Sequence, residues 1–379
     1  VNRLTTPSYL RQGEPLGPHT TLELGGPARY FAEATDEPTV LDCIRWAAKQ
    51  HLSLEVIGGG SNLVIADAGF DGVVLKVAPR GLAIHPSPAG EAGGEDVVLR
   101  VASGESFDTL VETTVKRGLT GLECLSGIPG LVGATPVQNV GAYGQEVADT
   151  IRTVRVLDRD SLQIEVLSAE GCRFSYRNSL FKQHRERYVV LEVTFALRAN
   201  AECAARHVQV QQTLAAMCAA DGPSTSPDRV REAVLALRRT KSMVIDPTDP
   251  NRRSVGSFFM NPVLPSQAAE AVCARAVSRG ITSRPEEVPR FPAPGGGTKM
   301  SAAWLIEHAG IRPGFRLGGV GVSTNHVLAL VNRGEGSTDE LLLLAARIRD
   351  TVQEEFGVSL EPEPAFLGFR EPPLTPQGR

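Results

Sequence analysis

Hydrophobic and polar positions divide this chain into segments whose spacing predicts their structure. ARYFAEA at 28–34 reads as a strand, and VLDCIRWAAKQ at 40–50 has helical spacing after Pro38. The apolar run LEVIG at 54–58 then completes a compact βαβ-like opening. A helix over 106–117 carries Phe107, Leu110, Val111 and Val115 on one face, with Gly118 placed to stop it. TVRVLD at 153–158 and YVVLEVTFAL at 188–197 alternate as half-buried strands. Helical stretches rich in Ala, Gln and Arg follow around 201–220 and at 227–239, and the loop DGPSTSPD (221–228) between them marks a domain boundary. Ser337 and Glu340 make a capping box for a helix over 338–356 with an apolar stripe of Leu341, Leu344, Ile348, Val352 and Phe356, ended by Gly357. SLEPEPAFLGF (359–369) reads as a strand whose prolines confine it to an edge or a lid. Residues 1–20 read as a loosely ordered lead-in, and 86–96 and 283–297 as loops.

Composition narrows the class without naming a function. With 379 residues, 42% hydrophobic and 22% charged, the chain has room for two or three domains with substantial cores. A net charge of −4 gives no electrostatic case for nucleic acid or an anionic membrane as partner. No apolar run is long enough to span a bilayer, and VNRLTTPSYLRQG has no signal-peptide core, so a cytoplasmic location is expected. The six cysteines show no CxxC and no metal spacing with histidine, which predicts free thiols in a reducing compartment and no metal site.

Two glycine-rich stretches carry the first chemical signal. SGIPGLVGATPVQNVGAYG (126–144) holds Gly127, Gly130, Gly133, Gly141 and Gly144, with Gly121 just upstream and almost no charge. Such density implies backbone in unusual conformations or pressed against a ligand, and the polar Gln138, Asn139 and Tyr143 suit a flat, partly polar cofactor. A structural loop accounts for it equally well from this segment alone. The LEVIG strand empties into GGGSN (58–62), where main-chain N–H groups could meet a diphosphate; Leu63 stands where a dinucleotide fingerprint needs glycine.

Reactive side chains cluster in five further places, each with a plain alternative. Arg177, beside Tyr176 in SYRNSLFK, is either a solvated ion-pair partner or a fork for a carboxylate. Ser257 in GSFFMNP lacks a nucleophile elbow and reads as a turn or cap residue, or as a hydroxyl in an apolar pocket. Lys299 in GTKMSAAWLIEHAG sits near a helix start, where a cation is disfavoured unless a phosphate joins it. His326 in STNHVLALVN and Glu363 in EPEP are surface or capped polar groups by default.

The fixed order of GGGSN, the 126–144 segment, YRNSLFK, GSFFMNP, GTKMSAAWLIE and the terminal PEP strand resembles the UDP-N-acetylenolpyruvoylglucosamine reductase family over about residues 18–370. The resemblance implies an α+β fold: an FAD-binding two-subdomain unit of the vanillyl-alcohol-oxidase (PCMH) type plus a substrate-binding α+β domain. The implied borders are 1–78 (rejoined by 338–379), 79–238 and 239–337. It implies non-covalent FAD held by Gly58, Gly59, Gly60, Ser61 and Asn62, and by Ser126, Gly127, Ile128, Pro129, Gly130, Gly133, Ala134, Gln138, Asn139, Gly141, Ala142, Tyr143 and Gly144. By the same resemblance Arg177 polarises the substrate carboxylate, Ser257 supplies a proton and Glu363 assists, while Tyr176, Lys241, Asn261, Lys299 and His326 contact a nucleotide-sugar. The implied reaction is a monomer's NADPH-dependent reduction of an enolpyruvyl ether in peptidoglycan precursor synthesis, without metal, nucleic acid or membrane. Two departures stand out: Ala365 where many relatives have arginine, and no tyrosine beyond Tyr188 to cover the substrate, with His207 as a stand-in.

Overall fold

The structure, a computed structural model, describes residues 6–86, 96–199, 201–203, 205–217, 225–293 and 296–374. Most of the loop expected at 86–96, the first half of the expected boundary loop (221–224) and Cys218 lie outside the described residues. The chain forms two compact units, one from 1–14, 28–60 and 71–245, the other from 15–27, 61–70 and 246–379.

The first unit contains two main sheets. A four-stranded sheet runs in the order Arg11–Pro15, Pro27–Ala34, Phe70–Val77, Leu54–Ile57, the last two parallel. Phe70–Val77 therefore lies between the two strands of the expected βαβ opening. Helix Glu37–Lys49 starts where the Asp36 side chain accepts from the Thr39 amide, and it buries Val40, Cys43, Ile44, Trp46 and Ala47. Those side chains share a core with Ala32, Val73 and Leu75 of the sheet. The lead-in expected at 1–20 is more ordered than its sequence suggests, because Arg11–Pro15 forms the edge strand of this sheet and Gly17–His19 a 3₁₀ turn.

A six-stranded sheet follows, in the order Ile164–Ser168, Ile151–Asp158, Tyr188–Ala199, Asp96–Ala102, Leu82–Pro86, with Leu119–Thr120 also pairing Tyr188–Ala199. Its neighbours are antiparallel. Strand Tyr188–Ala199 serves two cores, since Val189 and Leu191 join the first sheet's cluster while Val193, Phe195 and Leu197 face helix Phe107–Lys116. That helix buries Phe107, Leu110, Val111 and Val115 against them, each contributing about 1.5–3 kcal/mol of transfer free energy. Helices Val208–Met217 and Pro227–Thr240 pack together through Val210, Leu214, Val230, Ala233 and Val234.

The second unit is built on a four-stranded sheet ordered Ser254–Ser257, Ala329–Asn332, Val320–Val322, Arg316–Leu317. A three-stranded sheet, Val263–Leu264, Thr298–Met300, Arg290–Pro292, stands beside it in sequence, and its last strand corrects the loop expected over 283–297. A three-residue strand ending in proline leaves no periodic trace. Helix Thr338–Phe356 has both halves of its capping box, and Gly357 leaves it at φ 72°. Its stripe packs with Leu305, Ile306, Val320 and Leu330. The terminal strand Ala365–Leu367 pairs in parallel with Leu63–Ile65 within this unit. Among the described residues, no helix is long and apolar enough to cross a membrane.

Candidate functional site

In the first unit, Ser175 and Asn178 exchange both main-chain hydrogen bonds, at 3.0 and 3.1 Å, leaving Tyr176 and Arg177 at the tip of a tight turn. Arg177 has φ 54°, a left-handed conformation that turns usually give to Gly or Asn and that is costly for a side chain with a Cβ. The surroundings hold it there. The Arg177 guanidinium donates to the Gly141 carbonyl at 2.6 Å and the Asn139 carbonyl at 3.4 Å, and lies 5.4 Å from the Tyr176 ring. Asn139 Nδ2 donates to the Ser175 carbonyl at 3.1 Å, and the Ser179 hydroxyl donates to Val137. A Cβ on Gly141 would stand 2.8 Å from Glu146 Cγ, 3.0 Å from the Gln145 carbonyl oxygen and 3.1 Å from an Arg177 nitrogen, so a side chain here would push on the groups beside the turn.

The glycine segment itself is packed on protein. A Cβ on Gly59 would come 2.8 Å from Gly130 Cα, one on Gly133 would reach 2.5 Å from Ser103 Cβ, and one on Gly127 would reach 2.8 Å from Leu235. Gly58 faces Ala134. The Gly127 peptide is gripped at both ends, its N–H by Asp108 at 2.6 Å and its carbonyl by Arg238 at 3.3 Å. Burial pushes the Asp108 carboxyl up, but hydrogen bonds from Arg231 and the Gly127 amide outweigh it and hold it below its ordinary range. Tyr143 and Gly144, at φ 51° and 81°, turn the chain between Gly141–Ala142 and Gln145–Glu146 as a type I′ hairpin tip. The Tyr143 ring meets the His207 ring edge to face at 5.3 Å and has the Lys241 ammonium 5.9 Å from its centre. Burial, then the charge of Arg238, lowers the Lys241 pKa; burial, then Lys241, lowers that of His207. Lys241 donates to Gln209, and Ser126 donates to the Glu123 carbonyl.

These glycine loops fit FAD in character. Gly59 against Gly130 brings main chain to main chain with no side chain between, which leaves peptide N–H groups as the donors available to a diphosphate. Around them, Ile128, Val137 and Ala142 offer apolar surface packed on the core.

The second unit holds the other groups. Ser257, half-buried, ends strand Ser254–Ser257 and pairs with Ala329, whose amide donates to the His326 carbonyl at 3.0 Å. The Glu363 amide donates at 2.8 Å to the carbonyl of Phe258, the residue after Ser257, and Phe259 bridges Pro362. Asn62 Nδ2 reaches the Glu363 carbonyl at 3.4 Å, and the Asn62 carbonyl accepts from Ala365 at 3.0 Å. Asn261 Oδ1 accepts from the Ala302 amide at 2.9 Å, which fixes the start of helix Ala302–His308 just after Lys299 on strand Thr298–Met300. The structure thus joins Ser257, Glu363 and Asn62 in one framework, and Arg177, Asn139 and Gly141 in another. Sequence reading missed the Asp108 and Arg238 grip on Gly127, and no local pattern marks either residue for it.

Residues 28–166 match the FAD binding domain, and residues 247–367 match the UDP-N-acetylenolpyruvoylglucosamine reductase C-terminal domain. The reductase of Saccharopolyspora erythraea is 47% identical, covering 94% of this chain and 95% of its own length. That of Mycobacterium tuberculosis is 41% identical, covering 97% and 98%. The chain belongs to the UDP-N-acetylenolpyruvoylglucosamine reductase family. A crystal structure of the Thermus caldophilus reductase shares the fold, with TM-score 0.61 and 23% identity over 94% of this chain and 98% of that one. The fold class is therefore α+β, an FAD-binding domain and a reductase C-terminal domain in one chain. Within this reductase family frame, Gly58–Asn62 and 126–144 fall in the FAD-domain match, and Ser257, Asn261, Lys299, His326 and Glu363 in the C-terminal match. Tyr176, Arg177 and Lys241 lie between the two.

Proposed function

We propose that this protein reduces UDP-N-acetylglucosamine enolpyruvate to UDP-N-acetylmuramate, with NADPH as reductant and non-covalent FAD, as a cytoplasmic monomer making a peptidoglycan precursor. The reading is carried by the Phe258–Glu363 main-chain bond, which ties the segment bearing Ser257 to the one bearing Glu363 inside the region that matches the reductase C-terminal domain. Gly58, Gly59, Gly60, Ser61, Asn62 and the backbone of the 126–144 segment hold FAD, with 79–238 as the second FAD subdomain and 239–337 the substrate domain. FAD, when bound, supplies the hydride chemistry.

The enolpyruvyl double bond is electron-rich and accepts hydride only when its carboxylate can take up negative charge. Arg177 binds that carboxylate and stabilises the charge, with Glu363 assisting; preorganised groups of this kind are worth about 3–4 kcal/mol each. Ser257 then protonates the carbon next to the carboxylate. A hydroxyl is a weak acid, so Ser257 must be aimed closely, which the Ala329 pairing supports by fixing its backbone. Tyr176, Lys241, Asn261, Lys299 and His326 bind the nucleotide-sugar, excluding water and orienting the ether.

Purified protein is expected to be yellow and to oxidise NADPH only when given the enolpyruvyl nucleotide-sugar. Ser257→Ala should leave reduction of the flavin by NADPH near normal and abolish reoxidation by substrate. Equal loss in both half-reactions would remove Ser257 as proton donor, and rapid H₂O₂ release without the nucleotide-sugar would mark an oxidase instead.

A further inference from the structure

Asn139 joins the glycine segment to the arginine turn from both sides. Its own carbonyl accepts from the Arg177 guanidinium at 3.4 Å, while its side-chain amide donates at 3.1 Å to Ser175, the residue that opens the turn. The same Nδ2 donates to Glu146 Oε2 at 2.7 Å, and Oδ1 accepts from the Ala148 amide at 3.2 Å. The side chain is 1% exposed and its polar atoms are committed to these three protein groups. At φ 47° the residue is left-handed, a conformation asparagine tolerates better than other side chains with a Cβ. The turn it secures carries a second left-handed residue, Arg177.

We infer that Asn139 is a positioning residue for Arg177 rather than a ligand of the cofactor. The inference rests on Arg177 binding the substrate carboxylate, as proposed above. The Asn139 amide ties the turn to the glycine segment through Ser175, and the guanidinium then lies against the Asn139 and Gly141 carbonyls. Two of the guanidinium's five donors bond those carbonyls, which fixes the plane of the group. Glu146 completes the arrangement: it accepts from Asn139 and, like the Arg177 guanidinium, packs closely against Gly141.

Asn139→Gly removes the amide while keeping the left-handed backbone free of strain. In the holoenzyme it should slow flavin reoxidation by the enolpyruvyl nucleotide-sugar by about tenfold to a hundredfold, the scale of a small misplacement. FAD content and the rate of flavin reduction by NADPH should stay near wild type. The oxidised enzyme should lose affinity for the enolpyruvyl nucleotide-sugar but hold UDP-N-acetylglucosamine, which lacks the carboxylate, as before; a general loosening of structure would weaken both. In an Arg177→Ala background, Asn139→Gly should add almost no further loss. Should Asn139→Gly fail to fold, Asn139→Asp keeps the shape and the left-handed preference but replaces the donor to Ser175, and the same pattern is expected. Loss of FAD from either variant, or an equal further loss in the Arg177→Ala background, would overturn the inference and leave the proposed reaction standing. Wild-type reoxidation by Arg177→Ala alone would overturn both.

Discussion

Arg177 and Ser257 are held by different kinds of structure, one at the tip of a left-handed turn in the first unit, the other at the end of a paired but bulged strand in the second. Around Arg177, one main-chain pair closes the turn, and the bonds that fix it to its surroundings come from side chains to main chain: Asn139 to Ser175, Ser179 to Val137, and the guanidinium itself to Gly141. Around Ser257 they run main chain to main chain, through Ala329 and through the Glu363 amide to Phe258. A side-chain clamp is specific and can be removed by one substitution. A main-chain ladder survives most substitutions of the residues that form it, so the region built from strands should tolerate changes that the turn does not.

The sharpest way to break this comparison is at its two centres. Arg177→Ala should reduce substrate-dependent flavin reoxidation by about 10²–10³-fold, the usual cost of losing one preorganised charge-stabilising group, while leaving flavin reduction by NADPH intact. Stopped-flow measurement of the two half-reactions separates these. Phe258→Leu should behave oppositely. Phe258 is fully buried and bonds Glu363 only through its carbonyl, so the variant should lose about 1–1.5 kcal/mol of stability in denaturant unfolding with reoxidation within about threefold of wild type. A large kinetic loss in Phe258→Leu would show that the strand region is also side-chain dependent.

A smaller effect separates the regions by pH. Asp108 holds the Gly127 amide with a carboxyl whose pKa is lowered in the folded protein, so its stabilisation is full above the ordinary carboxylate value near ~4 and is lost as pH falls through the folded value. Asp108→Asn should therefore be less stable than wild type by about 1 kcal/mol near neutrality, a figure reduced by partial exposure of the pair. The gap should narrow steadily as urea midpoints are taken at pH values below about 4. A gap independent of pH would assign the loss to packing instead of charge.

Long periodic elements were legible in the sequence. The helix with Phe107, Leu110, Val111 and Val115 and the helix opened by Ser337 and Glu340 lie where spacing and caps put them, at Phe107–Lys116 and Thr338–Phe356. Strands Ile151–Asp158 and Tyr188–Ala199 announced themselves by alternation. Arg11–Pro15 and Arg290–Pro292 did not, because a short edge strand containing proline is defined by its partner and has no period of its own. At the site, glycine density marked the right segment but left open what presses on it. For Gly59, Gly127 and Gly133 the nearest atoms are Gly130, Leu235 and Ser103. Asn139 was legible as a polar residue among glycines; its reach to Ser175, 36 positions on, belongs to tertiary structure alone.

The parallel pair Leu63–Ile65 with Ala365–Leu367 has a consequence for how the protein is made. Asn62 and Glu363, bonded at its edge, are separated by 301 positions. A ribosome adding about 5–20 residues per second needs roughly 15–60 s to cover that interval. Throughout it, the segment from Ser61 to Phe70 lacks the strand that completes it, and well before its end every residue of the first unit up to Ile245 has been synthesised. A nascent chain halted before Ala365 leaves the exit tunnel should resist protease through most of 71–245 and be cut between Ser61 and Phe70. The framework that joins Ser257 and Glu363 would then form only once Ala365–Leu367 has been made, long after the turn that carries Arg177 has closed.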